Sequence, residues 1–177
     1  CMLVRWSPRD LAVTALGIAT LAVGIPVDAS AASWAQPLVS AWAWTALAVV
    51  AVLGDARERR DLTACVVLAA AGELFLKDVW GLYDYRLGNI PLFVPPGHVL
   101  LFYLGSRLAA RLADGAEWWI AALALPVVAG LALAGRDTLG PFLYVLFLAC
   151  MAMSASRKLY ATMLVLSVIA MAFVLMP

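Results

Sequence analysis

Of the 177 residues, 66% are hydrophobic and 13% are charged, and the net charge is +1. A soluble domain carries about 25% charged residues, and a mean hydropathy of +0.98 leaves more apolar surface than a soluble fold of this size can hide, so the expected solvent is largely lipid. The near-neutral balance excludes a global basic field for nucleic acid. Three cysteines without CxxC pairing and a single histidine do not make a zinc site, so neither a metal nor a cofactor is expected.

Crossing a hydrocarbon core takes about 20 apolar residues in a helix. Seven such segments are predicted, over residues 10–27, 33–54, 62–82, 92–113, 117–135, 138–154 and 159–176. The expected fold is therefore all-α, a single polytopic helical membrane bundle over residues 1–177. The sixth segment is short; as a tilted or partial span it would leave six. In the first two segments, Thr20–Gly24 is a small-residue pair that allows close helix approach, and Trp42 and Trp44 read as packing residues or a groove wall. Gly130–Ala134 repeats the small pair in the fifth segment, and Pro126 is expected to kink that helix. Cys65 and Cys150 lie in apolar runs and read as small packing residues.

Positive charge gives an orientation. Arg5, Arg9, Arg57, Arg59, Arg60, Arg107, Arg111, Arg157 and Lys158 fall on one side of a seven-span arrangement, against Lys77, Arg86 and Arg136 on the other. Nine against three places the N-terminus in the cytoplasm and the 83–91 loop outside, in a bacterial or archaeal inner membrane. Trp6, Trp118 and Trp119 are then inner interfacial anchors, and Trp34 and Trp80 outer ones. Cys1 and Pro177 read as fragment boundaries, and no cleavable signal peptide is expected.

Chemistry concentrates between residues 72 and 98, which hold Glu73, Lys77, Asp78, Asp84, Arg86, Asn89 and His98, whereas every other span is nearly charge-free. An ionisable group inside a span costs about 2.5–3.5 kcal/mol on insertion scales, so it usually has a reason to be there. Glu73 lies mid-span, and Lys77 one turn later permits an intrahelical ion pair. With Trp80 and Asp84 the two share one helical face, which should point into the bundle or a cavity. A carboxyl so placed suits a general acid. Pro95–Pro96 reads as the first turn of the fourth helix, with His98 near its start. Glu73, His98 and Asp84 are the catalytic candidates. Lys77, Trp80, Tyr83, Tyr85, Arg86 and Asn89 are the substrate-binding candidates; the aromatics among them also fit an interfacial belt.

The stretch Gly81-Leu-Tyr83-Asp-Tyr85-Arg-Leu87-Gly88-Asn-Ile90-Pro91-Leu-Phe-Val94-Pro95, with Glu73 upstream, resembles the membrane carotenoid hydratases and, more loosely, the small membrane lycopene cyclases. Arg86 and His98 stand where the hydratases tend to have Thr and Trp. The resemblance covers about 25 residues. It implies a multi-span protein acting on long isoprenoid chains by acid chemistry without a redox cofactor. Two other readings stay open: a non-catalytic accessory or assembly subunit of a larger membrane complex, and, ranked last, a small transporter. The expected partners are membrane lipid, a lipid-soluble substrate, and other membrane subunits or a second copy of the chain.

Overall fold

The computed structural model describes residues 7–30, 34–81, 88–137 and 139–175. Seven α-helices are found among them: α1 (Pro8–Ala29), α2 (Ala35–Leu53), α3 (Ala56–Leu74), α4 (Val94–Ala109), α5 (Ala116–Leu133), α6 (Gly140–Met153) and α7 (Arg157–Leu175). They occupy the seven apolar segments. By length and composition three of them, α1, α2 and α5, are long and apolar enough to cross a membrane. The apolar α6 has only 14 residues, and α4 has 16. The first two turns of α3 are crowded with Arg57, Glu58, Arg59, Arg60 and Asp61.

Local chemistry sets the helix ends. Ser7 and Asp10 form a reciprocal capping box at the start of α1, with Pro8 in its first turn. Asp55 and Glu58 do the same for α3. Each box satisfies two backbone N–H groups that the helix cannot pair itself. The α5 start follows Gly115, whose φ of 85° is left-handed and therefore suits glycine. Inside the helices, the hydroxyls of Thr20, Ser40, Thr45, Thr63 and Thr162 each donate to the carbonyl four residues back. Polar side chains are thus satisfied without leaving their own helix.

The chain forms two compact units, residues 1–103 and 104–177, and α4 belongs partly to each. In the first, Val13, Leu47, Val50, Leu62, Val99 and Leu100 are core residues. Thr20 is buried, and its hydroxyl oxygen accepts from the Trp42 indole at 3.0 Å. A Cβ on Gly24 would meet Val39 at 3.3 Å, so the Thr20–Gly24 pair does let α1 approach α2 closely. Arg9 of α1 and Glu58 of α3 form an ion pair at 2.6 Å, which brings the starts of these two helices together.

In the second unit, Ala121, Ala124, Val128, Met151, Ala161 and Leu164 are packed together. The Tyr144 hydroxyl donates to the Ala121 carbonyl at 2.8 Å and pins α6 to α5. Lys158, at the start of α7, donates to the Leu112 carbonyl at 2.7 Å and the Asp114 carboxylate at 2.6 Å. The Gly130–Ala134 pair does not serve packing. Gly130 is exposed with open space around it, because the buried stripe of α5 runs through Glu117, Ala121, Ala124 and Val128 on another face. Pro126 is accommodated inside α5, and Pro26, which the sequence reading did not single out, inside α1.

Candidate functional site

The site begins where α3 stops being an α-helix. Residues Phe75–Val79 form a π-helical turn, closed by the Trp80 N–H bonding five residues back to the Phe75 carbonyl at 2.8 Å. Such single π turns are rare and are frequently found at functional sites. Glu73 lies one residue before the end of α3 and is 6% exposed.

The π turn changes which side chains share a face. At about 4.4 residues per turn, residues four apart no longer stack as they do in an α-helix. Lys77 accordingly turns to Asp78, with Nζ 2.8 Å from Oδ1, rather than to Glu73 as the i+4 spacing suggested. Trp80 is 57% exposed, so it does not join Glu73 on an inward face. Instead it meets Phe75 edge-on, with centroids 6.1 Å apart.

One partner of Glu73 comes from α4. His98 Nε2 is 3.6 Å from Glu73 Oε1. Pro95 and Pro96 occupy the first turn of α4, as expected, and put His98 one turn in. Its Nδ1 is 3.0 Å from the Val94 carbonyl oxygen. A carbonyl only accepts, so Nδ1 carries a hydrogen and Nε2 is left facing the carboxyl. The two groups differ in access: the Glu73 side chain is 7% exposed and that of His98 is 53%. A gap of 3.6 Å is within ion-pair range but longer than a hydrogen bond. The arrangement can pass a proton between a buried carboxyl and an imidazole open to its surroundings.

Asn89 is exposed, just after Gly88, whose φ of 74° is left-handed. It lines a cavity of about 410 Å³ with Gln36, Ser40, Trp44 and Leu92. The Trp44 indole donates to the Leu92 carbonyl at 2.9 Å, tying α2 to the segment that precedes α4. Trp44 thus forms a groove wall. The sequence reading did not single out Gln36 and Ser40, because an amide and a hydroxyl early in an apolar helix carry no distinguishing pattern. Tyr83, Asp84, Tyr85 and Arg86 lie outside the described residues.

The buried carboxyls of the second unit were also missed. Asp137 is 6% exposed, and its Oδ1 accepts from the N–H groups of Leu139 and Gly140 at 3.0 and 2.7 Å, bonds that tie it to the backbone leading into α6. Glu117 is 8% exposed, and its Oε2 has no hydrogen-bond partner.

Outside the helices, two carboxylates are held below their ordinary range. For Asp55 the main cause is the hydrogen bond from the Glu58 backbone N–H; for Asp114 it is the hydrogen bond from Lys158 and then its charge. No known family's profile, no curated protein and no solved structure matches this chain.

Proposed function

We propose that this chain is an integral membrane enzyme that spans the bilayer seven times from a cytoplasmic N-terminus and performs acid–base chemistry on a lipid-soluble substrate. The observation that carries the chemistry is the Glu73–His98 pair: a buried carboxyl on α3, at a π-helical turn, 3.6 Å from an imidazole nitrogen on α4. Glu73 donates its proton to the substrate. His98, exposed and oriented by Val94, takes up a proton from its surroundings on Nε2 and passes it to the Glu73 carboxylate, so the proton given to the substrate is replaced from outside the pair.

Three helices long and apolar enough for the purpose support the membrane reading. So does an exterior with Leu133 at 90%, Val52 at 76% and Trp119 at 75% exposure, which lipid accommodates and water does not. The Arg9–Glu58 and Lys158–Asp114 contacts support the orientation. Each brings together two chain segments that the positive-inside rule assigns to the cytoplasmic face. The resemblance of residues 73–95 to carotenoid hydratases points to a long isoprenoid chain as the substrate.

Gentle extraction from the native membrane followed by native mass spectrometry tests the reading. A stoichiometric long-chain lipid is expected, and its turnover should be lost in Glu73→Gln and slowed in His98→Gln. Stoichiometric protein partners without such a ligand would overturn the enzyme in favour of an accessory subunit.

A further inference from the structure

We infer that a small cavity among α5, α6 and α7 binds one water molecule, which joins the carboxylate of Asp137 to the hydroxyl of Ser167. The site lies wholly in the second unit and does not depend on the Glu73–His98 chemistry.

Size and lining select the occupant. The cavity has a volume of about 20 Å³. A bound water needs about 10–15 Å³, so one fits and a lipid chain does not. Every described residue that lines it is buried or half-buried. Val128 of α5, Leu143 and Phe147 of α6 and Leu164 of α7 give it hydrocarbon walls. Walls of that kind alone would leave it dry. Two polar side chains line it as well: Asp137, just before α6, and Ser167, midway along α7.

Both have hydrogen-bonding capacity to spare. The bonds that Asp137 makes among the described residues fall on Oδ1, so Oδ2 still accepts. Oδ2 lies against Gly140, where any Cβ would collide with it; the glycine is what lets the carboxyl turn this way. On α7 the Thr162 hydroxyl donates to the Lys158 carbonyl, whereas Ser167 makes no such bond among the described residues. A water that donates to Oδ2 and accepts from the Ser167 O–H satisfies both groups. Among apolar walls a polar group without a partner is costly, and that cost is what holds the water in place. A metal ion does not suit the site. Calcium and magnesium take about six or more oxygen ligands, and the described residues hold no group of three metal-ligating side chains.

The bridge has a mechanical use. Residues 154–156 join α6 to α7 at one end of α6, and Asp137 lies at the other. The water therefore fastens to α7 the end of α6 that the connection does not hold.

The test is a crystal structure of the full chain, grown from a lipidic mesophase at a resolution that shows ordered waters. A single peak within about 3.2 Å of both Asp137 Oδ2 and Ser167 Oγ is expected. It should vanish in Ser167→Ala, which removes one partner, and in Gly140→Ala, which displaces the other. Ser167→Ala should also lower the melting temperature by about 2–4 °C. No peak in the wild type, a peak unchanged in Ser167→Ala, or a melting temperature unmoved by that substitution would overturn the bridge. An anomalous signal at the site after a thallium(I) soak would overturn it in favour of a monovalent cation.

Discussion

Two buried carboxyls divide the molecule. Glu73 in the first unit and Asp137 in the second are both 6% exposed, yet they are satisfied in opposite ways. Asp137 accepts on Oδ1 from the backbone two and three residues ahead of it, so that oxygen is satisfied within its own helix start. Glu73 sits within the last full turn of α3, where the backbone ladder is closed. It reaches across to a titratable side chain on another helix. Burial alone therefore does not mark a chemical site; what distinguishes one is a partner that can itself take or give a proton.

The comparison is sharpest in the response to isosteric change. Glu73→Gln keeps shape and removes the acid, so turnover of the extracted lipid should fall about 10²–10⁴-fold. Asp137→Asn should leave that rate near wild type. Equal losses, followed by mass spectrometry of the product, would erase the distinction. Asp137→Ala removes both bonds and should cost about 1–3 kcal/mol of stability, measured as a shift in the unfolding midpoint. His98→Gln should leave that midpoint almost unmoved, since the imidazole is largely outside the packed core.

Smaller effects compare the two ion pairs that join helix starts. Arg9–Glu58 has side-chain exposures of 39% and 28%, and Glu58→Ala should cost about 0.2–1 kcal/mol beyond the loss of its capping-box bond. Lys158–Asp114 is exposed at the carboxylate and should show mainly in pH dependence. The folded state holds Asp114 below its ordinary value of 3.8. Its contribution is thus present above that value and is lost as pH falls below it towards the depressed one. A stability profile measured downward from pH 5 should decline more steeply in wild type than in Lys158→Met.

Seven helices were legible in the sequence as apolar runs, but not all of their ends: α3, expected over 62–82, runs Ala56–Leu74, because Asp55 caps it ahead of the charged residues. The close approach of α1 and α2 was legible in Thr20 and Gly24. What escaped is local geometry with no compositional mark. A single inserted residue converts Phe75–Val79 to a π turn, and that was enough to send Lys77 to Asp78 and Trp80 outward. Glu73 and His98 were each visible as isolated polar residues in apolar surroundings. Their juxtaposition was not, because 25 residues separate them in the chain and no period connects them. Asp137 and Glu117 looked like ordinary residues at helix starts; only tertiary packing decides that such positions are buried.

The Arg9–Glu58 contact also has a consequence in time. Its partners are 49 residues apart, and during synthesis at about 5–20 residues per second the carboxylate is made about 2–10 s after the guanidinium. Through that interval Arg9 must be held by water or by lipid phosphates. The contact closes only once α1 and α2 have formed a hairpin that returns the chain to its starting side. It therefore works as a latch, closed last, on the first completed hairpin.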